Sequence, residues 1–120
     1  MSQNKIIVQK YIDGFSKSDH KQILSCLTED IEWLMPGYFH LQGKEAFDNE
    51  IENAAFTGSP IIKIIRMIEE NDVVIAEGTV RCDIKAGGQL NAVFCDVFIM
   101  ENAKIKRLIT YQVNLENLTS

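Results

Sequence analysis

Long apolar runs are missing from this sequence. Nowhere do eighteen apolar residues follow one another, and Met1-Ser2-Gln3-Asn4-Lys5 leads into an amphipathic pattern rather than an apolar signal core. Neither membrane insertion nor export is expected, and the chain reads as cytoplasmic. Cysteine is scarce and unpatterned: Cys26, Cys82 and Cys95 are an odd number, with no CxxC and no Cys/His ligand spacing. This argues against a disulfide framework and a structural zinc, and for buried thiols in a reducing compartment. Basic residues are outnumbered, 12 Lys and Arg against 17 Asp and Glu, for a net charge of -5. Such a surface repels phosphate backbones and anionic lipid, which speaks against nucleic acid or a membrane as partner. Gly43-Lys44-Glu45 opens a helix, but without a Gly-rich phosphate loop it is a weak anion signal. No repeat, linker or low-complexity segment interrupts the chain. What is present is ordinary globular composition, 46% hydrophobic and 24% charged over 120 residues, sized for one domain spanning 1–120.

Three helices lead the chain. Ile7, Val8, Tyr11, Ile12 and Phe15 recur at helical spacing between about Asn4 and Lys17, with Lys5, Gln9, Lys10 and Asp13 on the opposite side. Ser18-Asp19 caps a short second helix that buries Ile23, Leu24 and Leu27 and ends near Thr28. Ile31 to Met35 reads as a brief strand stopped by Pro36-Gly37, and Tyr38 to Gln42 as irregular. A third helix runs from about Lys44 to Ala55, with Phe47, Ile51, Ala54 and Ala55 on one face, closed by Gly58-Ser59-Pro60. Beyond Pro60, β-branched runs are broken at Glu70-Asn71-Asp72, Gly87-Gly88 and Glu101-Asn102-Ala103, giving a four-stranded antiparallel meander. Glu116 to Ser120 reads as a loose tail. Helices followed by a long antiparallel sheet define an α+β domain with its helices on one face of a bent sheet.

The facing of polar residues depends on the turns. A two-residue turn at Gly87-Gly88 sets Thr79 opposite Asp96, Arg81 opposite Phe94 and Glu77 opposite Phe98, so that Glu77, Arg81 and Asp96 share a face with Phe94 and Phe98. The other face carries Val80, Cys82, Val93 and Cys95. Both faces are apolar enough to be covered, which predicts a homodimer through the sheet. By pattern alone Glu77 and Arg81 also fit cross-strand surface charges. Asp96 does not, because it interrupts the apolar run Ala92 to Met100, where burial raises a carboxyl pKa. In the last strand a three-residue turn places Leu108, Thr110 and Gln112 on the face of Asp96, whereas a two-residue turn places Ile109, Tyr111 and Val113 there.

This element order resembles the SnoaL-like and ketosteroid-isomerase-like branch of the nuclear transport factor 2-like superfamily, a cone-shaped roll with three helices on a strongly curved, mostly antiparallel mixed sheet enclosing a pocket. The likeness covers nearly the whole chain. Val8 to Asp19 is similar to the first helix of ketosteroid isomerase, and Phe94-Cys95-Asp96-Val97-Phe98 to the strand bearing its protonated aspartic acid. The resemblance implies that Tyr11 and Asp96 form an oxyanion-binding pair. It puts Met35, just before Pro36, where that enzyme has its aspartate base, and a thioether cannot accept a proton. A comparison with limonene epoxide hydrolase aligns Glu77 and Thr79 with inward strand positions and Thr110 with an aspartate, and it favours the first facing of the last strand.

The resemblance thus implies a pocket for an apolar, oxygenated molecule, with Tyr11 and Asp96 hydrogen-bonding an oxygen, Glu77 or His40 supplying any base, and Arg81 pairing with Glu77 or an anionic group. Candidate wall residues are Phe15, Trp33, Met35, Phe47, Ile51, Thr79, Arg81, Phe94, Phe98, Leu108, Thr110 and Gln112. No metal or other cofactor is expected. His20 is assigned no role, Trp33 also suits plain core, and His40 also suits an exposed loop. The two function classes are an acid/base enzyme (isomerase, cyclase, dehydratase or hydrolase) and a non-catalytic binding or dimerisation module that has lost its base.

Overall fold

A computed structural model describes residues 2–52 and 56–115. The helices are α1 (Gln3–Lys17), α2 (His20–Ser25) and α3 (Lys44–Ile51), and the strands are β1 (Leu27–Met35), β2 (Phe39–Gln42), β3 (Phe56–Glu70), β4 (Val73–Ile84), β5 (Gln89–Glu101) and β6 (Lys104–Asn114). The strands form one sheet in the order β2-β1-β6-β5-β4-β3. β1 runs parallel to β6 while every other pairing is antiparallel. This is the mixed α+β roll expected, with all three helices in place.

Local chemistry sets the element ends. The Ser2 hydroxyl accepts from the Lys5 amide at 3.1 Å to cap α1, and Ser18 closes that helix in the left-handed region at φ 53°. Asp19 then caps α2, accepting from the Gln22 amide at 3.0 Å. Gly14 lets the two helices meet, since a Cβ there would sit 2.9 Å from Ile23 Cγ1. The buried stripe of α1, Val8, Tyr11 and Ile12, joins Ile23, Ile31, Phe47, Phe98 and Leu108 in one core.

Four features bend the sheet around that core. β3 is irregular between Thr57 and Ile61 and between Ile64 and Arg66, and β5–β6 between Ile99 and Met100. The fourth is Gly78, opposite Phe94, where a Cβ would lie 2.2 Å from the Lys63 carbonyl oxygen and 2.9 Å from Phe94 Cζ. Only a residue without a side chain permits so close an approach.

Several expected boundaries move. Tyr38–Gln42 was expected to be irregular, but Phe39–Gln42 is an edge strand paired with β1. β1 begins at Leu27, inside the span expected for α2, because Leu27 pairs with Ile105. Gly58-Ser59-Pro60 lies within β3 rather than ending α3, at the irregularity that excuses Pro60 from donating a ladder hydrogen bond. The part of α3 expected at 53–55 and the tail Glu116–Ser120 lie outside the described residues.

The largest correction concerns register. The β4–β5 connection is not a two-residue turn: Asp83 pairs with Gln89, and the Ile84 amide donates to the Gly88 carbonyl at 3.0 Å. Both glycines take positive φ, 117° and 79°, at the closing end of a wider loop. The pairing slips by an odd number of residues, so the faces exchange. Asp96 lies opposite Ala76, Glu77 opposite Cys95, Thr79 opposite Val93 and Arg81 opposite Asn91. The β5–β6 turn, Asn102-Ala103, has two residues, both at positive φ. The irregularity after Ile99 then restores the facing of the three-residue alternative, with Thr110 opposite Asp96 and Leu108 opposite Phe98.

Candidate functional site

The concave side of the roll encloses a cavity of about 810 Å³ that opens to solvent, a size suited to a small organic ligand. α1 contributes Tyr11, Ile12 and Phe15, β1 contributes Trp33 and Met35, and β5 and β6 contribute Phe94, Asp96, Thr110 and Gln112. Alternation along the strands explains the choice: Ile31, Trp33 and Met35 point inward from β1 while Glu32 and Leu34 point outward.

An aromatic cluster shapes the floor. Trp33 stacks on Phe47 with centroids 4.6 Å apart, and Phe39 meets its edge at 5.0 Å. Tyr11 packs edge-on against Phe15 at 5.3 Å and Phe98 at 5.5 Å. Phe47, Phe98 and Leu108, expected on the wall, are instead fully buried. Trp33 and Tyr11, which do line the cavity, pack against these two phenylalanines and cover them.

The polar end of the cavity is a short chain of groups. The Trp33 indole N–H donates to Thr110 Oγ1 at 3.0 Å inside the core. An indole is donor-only, so the threonine hydroxyl keeps its own proton for another acceptor, and Asp96 is its side-chain partner. Asp96 lines the cavity, yet its Oδ1 is sealed from solvent and has no hydrogen-bond partner. Loss of hydration pushes the Asp96 carboxyl from the usual 3.8 up to about 7, against the smaller opposing effect of the Thr110 hydrogen bond. Burial also holds the Tyr11 phenol well above its ordinary value, reinforced by the charges of Asp96 and Cys26. Near neutral pH, Tyr11 keeps its proton while Asp96 is balanced between its two forms.

The other expected polar residues are elsewhere. Glu77, Thr79 and Arg81 occupy the outer face of the sheet because of the register exchange, and Glu77 pairs there with Arg66 at 2.6 Å. His40 also faces outward, opposite Leu34, and contacts Glu32 at 2.8 Å. Neither lines the cavity as a base. Val80 and Cys82, expected on the far face, line it instead, as do Tyr38, Phe39, Phe56 and the Gly58–Pro60 segment. The alternation of β4 carried the signal for Val80 and Cys82, but an assumed turn length reversed it. His20 joins two helices, with Nδ1 2.6 Å from Asp48 and Nε2 2.8 Å from Glu52. These hydrogen bonds, Asp48 foremost, raise its pKa. Among the described residues no cluster of His, Cys, Asp and Glu could hold a metal ion.

A curved mixed sheet wrapped around an aromatic cavity, with three helices on its concave side, is the architecture of a cone-shaped α+β roll. The SnoaL-like domain family matches residues 8–108, and the chain belongs to that family. No curated protein matches it. Among solved structures, a nuclear transport factor 2-like protein of unknown function from Burkholderia pseudomallei is 20% identical, with TM-score 0.84 over 92% of this chain and 90% of that one. An LEH-like epoxide hydrolase of M. tuberculosis is 16% identical, with TM-score 0.81 over 92% and 83%. A protein named as a SnoaL-like polyketide cyclase, from Shewanella putrefaciens, is 13% identical, with TM-score 0.82 over 93% and 90%. At these identities the likeness establishes the fold.

Proposed function

We propose that this SnoaL-like protein binds an apolar, oxygenated small molecule in the cavity and exchanges a proton with it through Asp96. One observation carries the reading: an enclosed carboxyl with an unpartnered oxygen faces an aromatic cavity, and its pKa of about 7 lets it give or take a proton near neutrality. The Tyr11 phenol and neutral Asp96 supply two donors to a carbonyl, epoxide or enolate oxygen, in surroundings where donors act strongly. Thr110 and Trp33 position Asp96 without serving as acids themselves.

Such a protein turns over simple enones, epoxides or polyketide-like ketones. Asp96→Asn keeps an N–H donor but cannot transfer a proton, so it binds the same compound within a few-fold and loses turnover. Undiminished turnover in Asp96→Asn, or no binding of any of these classes, contradicts the proposal.

Met35 favours a second reading, binding without catalysis. It lines the wall at the position where the ketosteroid isomerase likeness calls for a base, and no histidine lines the cavity among the described residues. Binding without turnover of any tested class supports this second reading.

We also propose a homodimer through the outer sheet face. Ile68, Ile75, Val97 and Ile109 form a continuous apolar row across four strands, and Tyr111 and Val113 are 52% and 62% exposed beside it. A second copy covers such a row by symmetry. We assign the protein to the cytoplasm, where the free thiols of Cys26, Cys82 and Cys95 stay reduced. No described helix is long and apolar enough to cross a membrane.

A further inference from the structure

On β6 the inward-facing row continues past Thr110 as Gln112 and Asn114, which line the cavity, while Tyr111 and Val113 between them face outward. Two residues of strand rise separate each member from the next, which sets Gln112 and Asn114 roughly 7 and 13 Å beyond Thr110. Thr110 lies opposite Asp96, Gln112 opposite Phe94 and Asn114 opposite Ala92. Thr110 is buried, Gln112 half-buried and Asn114 exposed, so the row runs from the enclosed acid to the opening.

Solvation of the mouth does not account for this polarity. Over the same span the neighbouring strands present Phe94, Leu90, Val80 and Cys82 to the cavity. Ser18 and Ser59 also line it, but their hydroxyls bond each other at 2.8 Å. The two carboxamides are joined by one hydrogen bond, Gln112 Nε2 donating to Asn114 Oδ1 at 2.9 Å, which engages only one of the pair's four N–H groups. A carboxamide pair combines donors with acceptors and carries no charge, so it suits a hydroxyl or a carbonyl. At the inner end of the row the sealed Oδ1 of Asp96 has no hydrogen-bond partner. A ligand that covers the row without a polar group of its own strips water from Gln112 and returns no hydrogen bond.

We propose that the cavity takes a ligand with two oxygen functions on one apolar body: the inner oxygen at Tyr11 and Asp96, and a second, uncharged hydroxyl or carbonyl at a subsite formed by Gln112 and Asn114. This rests on the binding reading above and adds the place and chemistry of a second polar group, with Gln112 and Asn114 as the residues that select for it.

Two flat, rigid probes test it: 2,6-dihydroxynaphthalene, with an oxygen at each end, and 6-methyl-2-naphthol, in which a methyl group replaces one hydroxyl. Trp33 is the sole tryptophan and lines the cavity, so the single indole N–H signal in a proton–nitrogen NMR titration reports occupancy. At about pH 6, below the Asp96 midpoint of about 7, the diol binds at least about threefold more tightly than the methyl compound. In the Gln112→Met/Asn114→Leu variant, whose side chains keep their size, the order reverses, because the more apolar wall favours the methyl group. A methyl compound that binds the parent protein as tightly as the diol overturns the proposal, and this comparison does not depend on the variant. An order unchanged in the variant overturns it as well. If both probes bind without preference, only the subsite fails. If neither binds, the binding reading fails with it.

Discussion

Asp96→Asn should make the protein more stable at mildly alkaline pH. The buried carboxyl is displaced from 3.8 to about 7, roughly three pH units, which corresponds to about 4 kcal/mol between its two forms. The unfolded chain releases this proton near 3.8 and the folded chain near 7. Between those values the folded state binds more protons, so its stability falls as pH rises. The penalty is absent below the lower value and complete above the upper one. Asparagine has similar shape and stays neutral throughout. The advantage of the variant should therefore grow from near zero at about pH 4 to about 4 kcal/mol at about pH 8. Urea unfolding followed by Trp33 fluorescence, in both proteins across that range, measures the difference. His20, whose raised pKa also makes stability fall with rising pH, titrates in both proteins and cancels. A fixed change in hydrogen bonding displaces all points equally. A difference independent of pH, or a variant that loses ground as pH rises, refutes the reasoning.

Other substitutions test neighbouring parts of the account. Thr110→Val removes the hydrogen bond that holds the Asp96 pKa down; the carboxyl should titrate about one to two units higher, as read by carbon NMR, and an unchanged or lower midpoint contradicts the pairing. Gly78→Ala places a Cβ 2.2 Å from the Lys63 carbonyl oxygen and should lower stability by about 3 kcal/mol in denaturant unfolding, whereas a neutral effect means that β3 and β4 separate easily there. Ile68→Glu charges the exposed apolar row and should convert a dimer to a folded monomer in sedimentation experiments. A monomeric parent protein removes the dimer proposal.

The sequence specified the architecture through long periodic segments. Val8, Tyr11 and Ile12 mark α1 by spacing alone, and β-branched runs separated by turn residues mark the meander. Asp96 stood out because an ionisable group inside Ala92–Met100 conflicts with its neighbours, a local inconsistency of the kind functional positions show. Trp33, Met35 and Thr110 followed from strand alternation once their facing was given. The failures came from quantities that composition does not encode. At Gly87-Gly88 the glycines close the loop instead of centring it, and this reversed Glu77, Thr79 and Arg81 against Val80 and Cys82. At Ile99 an irregularity offset the shorter β5–β6 turn, so the facing of Thr110 came out right although the turn did not have three residues.

The central claim is that Asp96 exchanges its proton near neutral pH, inside a cavity that a ligand can enter. Carbon NMR of the Asp96 side-chain carboxyl, followed from acid to alkaline pH in the unliganded protein, measures this directly. The account predicts a midpoint of about 7. A midpoint near 3.8, the ordinary value for an aspartate, would mean a hydrated, permanently ionised carboxylate and would contradict it.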